Sequence, residues 1–173
     1  MTRAAALLLL FLLPLSASAG TLDKGRYSFG LSGGAGKRFA SVGFSFGYLV
    51  VDGLQPSIAL GYAWQGYDRA DAHRLETTLE LRYYVYRHAV VAPYVFVDGS
   101  HVYLAYRGAP DEDHNFFRAG GGLGALFLVA PTVGFSVSFR VGSWLGADDA
   151  LYDRGVLEEA PLLDFGFGFG VFL

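Results

Sequence analysis

The chain closes on Leu163-Asp164-Phe165-Gly166-Phe167-Gly168-Phe169-Gly170-Val171-Phe172-Leu173. Successive side chains of a strand point to opposite faces. Phe165, Phe167, Phe169, Val171 and Leu173 therefore share one face, and Asp164, Gly166, Gly168 and Gly170 share the other. A sheet in water would carry Lys, Glu or Thr on its exposed face, and bare glycine weakens a strand without adding packing. In lipid the assignment reverses, with large apolar residues facing acyl chains and small or polar ones facing the interior. The stretch predicts a membrane-spanning strand.

The same alternation recurs upstream and gives eight period-two segments. Phe39 to Val51 sets Val42, Phe44, Phe46 and Tyr48 against Ser41, Gly43, Ser45 and Gly47, and Leu54 to Trp64 sets Ile58, Leu60, Tyr62 and Trp64 against Ser57, Ala59, Gly61 and Ala63. Arg26 to Gly34 and Val133 to Trp144 repeat the rule. Leu75 to Tyr86 differs, because its inner face carries Glu76, Glu80, Arg82, Tyr84 and Tyr86. In Val91 to Tyr103 we place Val95 and Val97 outward and Asp98 and Ser100 inward, since an aspartate facing lipid at mid-depth costs kilocalories. Phe117 to Val129 completes the set, with Leu123 and Phe127 outward and Arg118 inward.

The start of the chain has a different character. Arg3, an apolar block from Ala4 to Leu13 and the small residues Ala17-Ser18-Ala19 have the layout of a secretory signal peptide. The block is too short to span a bilayer as a helix. We expect residues 1–19 to be cleaved and residues 20–173 to form one domain. The hydrophobic fraction is 53%, high for a soluble domain, and no later run approaches a spanning helix. With 24 Gly, 15 Phe and 11 Tyr, the excess lies in the residue types that such a barrel places on opposite faces. The formal net charge of −3 implies no nucleic-acid partner. There is no cysteine, so stability must come from closed hydrogen bonding, which in a bilayer only helices and closed barrels provide.

Connections between the segments alternate in length. Asp52-Gly53, Arg87 to Val90 and Ala130-Pro131-Thr132 are short turns, whereas the others are mostly longer, Gln65 to Arg74, Leu104 to Phe116 and Leu145 to Ala160, with only the first, Ala35 to Arg38, brief. Short turns at one end, long loops at the other and an even strand count predict an all-β, eight-stranded antiparallel up-and-down transmembrane β-barrel. The long loops would be extracellular, and the protein would sit in the bacterial outer membrane.

On this pattern the chain resembles the small eight-stranded outer-membrane barrels of Gram-negative bacteria, the class of the OmpA transmembrane domain and the OmpW-like proteins. The resemblance covers residues 20–173 and rests on alternation, not on a family motif. It implies a monomer without a cofactor, in contact with outer-membrane lipids and lipopolysaccharide and inserted by the barrel assembly machinery. Such proteins end in alternating aromatics that this machinery recognises. Phe165, Phe167, Phe169, Phe172 and Leu173 are the corresponding assembly signal, with Leu173 where a terminal aromatic would stand.

Three groups of residues are candidates for a role. Glu76, Glu80, Arg82, Asp98, Arg118, Arg140 and Asp164 fall on the inner face and predict an ion-pair network, because buried charges persist only when paired. The interior of an eight-stranded barrel is just filled by side chains, so this network would close the lumen. A gated solute path is the alternative. Asp111, Glu112, Asp113, Asp148 and Asp149 lie in the long loops and could hold a divalent cation, although no dedicated cage spacing is present and a solvated anionic face is the plainer reading.

Enzymes exist in this barrel class. Its lipid A deacylases carry a His-x-Ser-Asn pattern, but His73, His88, His101 and His114 are followed at the second position by Leu75, Val90, Tyr103 and Phe116. Asp98-Gly99-Ser100-His101 gathers acyl-transfer residue types, yet neighbours in a strand face apart, so Ser100 and His101 cannot form a nucleophile and base pair without a β-bulge. The expected function is a non-enzymatic outer-membrane barrel serving envelope integrity or surface recognition. The alternatives are a small transporter for hydrophobic or small solutes and a lipid A-modifying acyl enzyme.

Overall fold

A computed structural model describes residues 22–36, 38–66, 71–87, 90–108, 111–153, 157 and 161–173. The signal-peptide expectation for residues 1–19 lies outside them. Among the described residues there are eight strands: β1 (Tyr27–Gly36), β2 (Phe39–Tyr48), β3 (Leu54–Gly66), β4 (Asp71–Tyr84), β5 (Val91–Arg107), β6 (Glu112–Ala130), β7 (Val133–Leu145) and β8 (Leu162–Phe172). Each pairs antiparallel with its neighbours in sequence, and β8 returns to β1 to close a barrel. Closure leaves no free edge along most of the sheet, which is what a bilayer demands of backbone polar groups.

Alternation decides which way each strand faces. Val42, Leu60, Leu79, Val97, Leu123 and Val141 are exposed around the barrel and form one apolar belt. On β8 the rings of Phe165 and Phe167 are 76% and 68% exposed. A belt of this kind is the surface that faces hydrocarbon. On β5, Val95 and Val97 face outward and Asp98 and Ser100 inward, the phase that the cost of a lipid-facing aspartate requires. Tyr86, expected inside, is exposed because β4 ends at Tyr84.

The strands run further than hydrophobic alternation indicates. The connections expected over Gln65 to Arg74 and Leu104 to Phe116 are mostly strand, with pairing continuing to Gly66↔Asp71 and Tyr106↔Glu112. Backbone groups pair whatever the side chains do. Alternation therefore marks only the lipid-embedded length, and the ladder rises beyond it. The wall is tall at β5 and β6 and low at β1 and β2.

Two apolar clusters stop the barrel. At the turn end Leu49, Tyr84, Tyr94, Phe96, Leu126, Leu128 and Phe172 pack inside with Leu22. The segment before β1 is laced across this end, with the Gly53 N–H donating to Leu22 O at 3.0 Å and the Gly25 N–H donating to Leu49 O at 2.8 Å. Gly25 and Gly53 have φ of +92° and +78°, which side-chain-bearing residues rarely adopt. At the loop end Ala72, Val102, Leu104 and Phe116 are covered by Leu157 and by Leu151, which belongs to the short helix α1 (Asp149–Asp153) of the connection to β8.

The turn end carries one exposed ionic contact with a pH signature. Asp52 accepts the Lys24 backbone N–H at 2.9 Å and pairs with Arg87 at 3.2 Å, and these contacts hold its carboxyl below the ordinary carboxylate range. A folded pKa below the unfolded value stabilises the fold above that range, and the contribution is lost as pH falls through the folded value. Asp52→Asn is therefore expected to lower the urea midpoint in lipid vesicles at neutral pH, by progressively less as the pH is lowered through the carboxylate range. Equal effects at all pH values would contradict this.

Candidate functional site

Between the apolar clusters lies a polar layer, built asymmetrically because the strands differ in what they point inward. β4 contributes Arg74, Glu76, Thr78, Glu80 and Arg82 at every second position. Asp98 and Ser100 come from β5, Arg118 from β6, Arg140 from β7 and Asp164 from β8. Antiparallel register sets these side by side, with Glu80 opposite Asp98, Ser100 opposite Arg118 and Arg140 opposite Asp164.

Arg118, whose side chain is 6% exposed, is the hub. Its guanidinium reaches Glu76 at 2.5 Å, Asp164 at 3.2 Å and Asp98 at 3.9 Å. Arg140 pairs with Asp98 at 3.0 Å, so Asp98 joins two arginines. Arg82 pairs with Glu80 at 2.7 Å and with the Tyr84 hydroxyl at 3.4 Å. Every residue expected in the network is thus on the inner face and in an ion pair. One member was missed: Arg74 lies 3.9 Å from Glu76. Four cations and four anions, all on β4 to β8, balance within the layer.

Aromatic rings support the arginines from both ends. Arg82 lies over Tyr94 at 4.3 Å and Arg140 over Phe96 at 5.6 Å, both rings belonging to the turn-end cluster. Arg118 lies over Trp144 at 5.7 Å, and Trp144 meets Phe116 edge to face in the loop-end cluster. A cation over a ring face is stabilised by the ring quadrupole, more so when water is excluded.

The facing wall is bare. β1, β2, β3 and the turn-end parts of β7 and β8 present Ser28, Ser32, Ser45, Ser57, Ser136 and Ser138 between glycines, and a cavity of about 510 Å³ lies between this wall and the charged residues. The expectation of an interior filled by side chains is therefore corrected. Glycine and serine occupy too little volume to meet the charged residues, so closure falls to the two apolar clusters.

The other candidate residues are placed differently. Phe165, Phe167, Phe169 and Leu173 lie on the outer face, whereas Phe172 turns inward and is 3% exposed, so the terminal aromatics do not form one surface. The acidic loop residues are not gathered into a ligand set. Asp113 pairs with Arg107 at 2.6 Å, Glu112 with His114 at 3.3 Å, and Asp111 accepts the Gly108 N–H at 2.8 Å. Strand geometry sends Glu112 and Asp113 to opposite faces, Asp148 and Asp149 belong to another connection, and no metal-binding group of three stands among the described residues. Ser100 bonds inward to Thr78 at 2.9 Å, while His101 points outward onto Phe117, with ring centroids 5.3 Å apart.

No family model matches the chain, and no curated protein sequence does. Solved structures do. The N-terminal β-barrel domain of OprF from Pseudomonas aeruginosa aligns with a TM-score of 0.63 at 19% identity, over 87% of this chain and 98% of that one. The outer membrane protein OprG from Pseudomonas aeruginosa aligns at 0.58 and 12%, over 87% and 97%. Ail, the attachment invasion locus protein of Yersinia pestis, aligns at 0.56 and 11%, over 87% and 99%. At these identities the likeness establishes architecture, and the chain has the eight-stranded barrel fold of small outer-membrane proteins.

Proposed function

We propose that this protein is a non-enzymatic barrel of the bacterial outer membrane that seals its own lumen and works at the cell surface, in envelope integrity or recognition. The observation that carries the reading is the pair of apolar clusters bracketing an internally neutral polar layer. Ions crossing the barrel would have to pass Tyr84, Phe172 and Leu128, which are buried at the turn end. Dehydrating an ion in such surroundings costs far more than thermal energy. Separation of Ser100 from His101 removes the arrangement that acyl transfer would need. In this reading a monomer touches lipids and lipopolysaccharide through its belt, and Phe165, Phe167 and Phe169 serve the assembly machinery before insertion.

The test is conductance of the purified protein in planar lipid bilayers. No steady current is expected. A stable ohmic conductance would overturn the sealed-lumen reading in favour of a solute path.

A further inference from the structure

The barrel wall is not closed along its whole height. The β1–β8 ladder runs only from Ser28↔Phe172 to Ser32↔Gly168, extended at the turn end by Tyr27 and Leu173, which exchange N–H···O bonds at 3.0 and 2.9 Å. Above Ser32, β1 continues through Gly33 and Gly34 and pairs with β2, and β8 from Leu162 to Phe167 pairs with β7. Among the described residues no ladder joins the two across the gap. The glycines record the same separation. A Cβ at Gly170 or Gly168 would lie 3.6 Å from a β1 carbonyl oxygen, whereas one at Gly166 would meet only Ser138.

This gap lies in the apolar belt. Leu163, Phe165 and Phe167 flank it with exposed faces, and Gly33 and Gly34 opposite them add no side chain to cover it. Behind it is the serine-lined cavity, whose lining includes Ser32, Gly34, Asp164, Gly166 and Phe167. Asp164 is at the lip, its side chain 48% exposed and paired with Arg118. Backbone groups left without partners in hydrocarbon cost several kcal/mol each. The gap therefore calls for a polar occupant beside an apolar one.

We propose that the β1–β8 gap is a lateral portal, through which the uncharged, hydroxyl-rich head of a glycolipid-like amphiphile enters the cavity while its chains stay in the bilayer against Phe165 and Phe167. Cavity volume of about 510 Å³ suits a small sugar head. The four cations and four anions of the layer balance one another, so an ionic head gains no net attraction. Serine hydroxyls, open strand edges and the half-exposed Asp164 carboxylate instead offer donors and acceptors matched to sugar hydroxyls. The inference adds a binding site to the sealed barrel and does not depend on its failure to conduct.

Two dodecyl probes test it in phosphatidylcholine nanodiscs, one with a maltose head and one with a phosphocholine head, each carrying a photoreactive diazirine beside the head. Mapping by mass spectrometry is expected to place maltoside adducts on the strands bearing Ser45, Ser136 and Ser138, and phosphocholine adducts only on outward residues. In the double variant Gly34→Cys/Gly166→Cys, the next inward pair of the register, oxidation should staple the gap and abolish the cavity adducts, and reduction should restore them. Ser138→Phe, which fills the cavity without crossing the gap, should also abolish them while outward labelling persists. Absence of cavity adducts in the unaltered protein, equal labelling by both heads, or cavity adducts that survive stapling would each overturn the proposal. Conductance is recorded separately, so loss of the site and loss of the sealed-lumen reading are distinguishable.

Discussion

Replacing Arg118 with methionine is expected to destabilise the barrel by about 3–5 kcal/mol, the range for removing one partner of a buried ion pair. Methionine keeps much of the apolar stem, so the loss is chiefly that of the guanidinium. Glu76, Asp164 and Asp98, now at 2.5, 3.2 and 3.9 Å from that group, would be left with Arg74 and Arg140 as compensation. Urea unfolding in lipid vesicles, followed by tryptophan fluorescence, measures the effect. Combining Arg118→Met with Glu76→Gln and Asp164→Asn should recover much of it, because the anions left uncompensated are then neutral. A single-variant loss below about 1 kcal/mol, the value of an exposed pair, would mean that water already screens the network.

Phe172→Ala is expected to cost about 3–5 kcal/mol, as for other buried phenylalanines, whereas Phe165→Ala should cost less than about 1 kcal/mol. The two rings stand seven residues apart in one strand, but Phe172 is 3% exposed inside the turn-end cluster and Phe165 is 76% exposed on the belt. Alanine at position 172 leaves a void among Leu22, Leu49 and Leu128, which are held in place by neighbouring strands. Alanine at position 165 leaves a space that acyl chains fill. The same vesicle unfolding assay compares them, and equal costs would mean that the belt and the interior are wrongly assigned.

Most of the architecture is legible in the sequence because a membrane barrel writes its two faces at period two. Val42, Phe44 and Phe46 against Ser41, Gly43 and Ser45 leave one assignment in lipid, and the inward phase of Glu76, Glu80 and Arg82 follows from the same count. The apolar clusters are illegible for a physical reason. Leu126-Phe127-Leu128-Val129 is apolar throughout, so a buried inner residue cannot be told there from a lipid-facing one. Phe172 is hidden in the same way beside Val171 and Leu173. Arg74 escaped because its strand begins in polar residues, although Arg74-x-Glu76-x-Thr78-x-Glu80-x-Arg82 continues the inward phase.

Pairing, not composition, produces the remaining features. The cavity exists because glycine and serine stretches stand across from charged ones, and the gap exists because the β1–β8 ladder stops at Ser32↔Gly168. Neither fact resides in a single segment. Loop length was overestimated for a related reason, since strands β5 and β6 stay hydrogen-bonded to Tyr106↔Glu112 after their apolar alternation has ended.

The central claim is that this chain is a barrel turned inside out relative to a soluble one, and β8 tests it most directly. Single nitroxide labels at positions 164 to 171, in protein reconstituted in lipid bilayers, report accessibility to dissolved oxygen, which concentrates in hydrocarbon. The expected profile has period two, with high accessibility at positions 165, 167, 169 and 171 and low accessibility at 164, 166, 168 and 170. A profile of the opposite phase, or one without period, would contradict the fold and with it the function proposed.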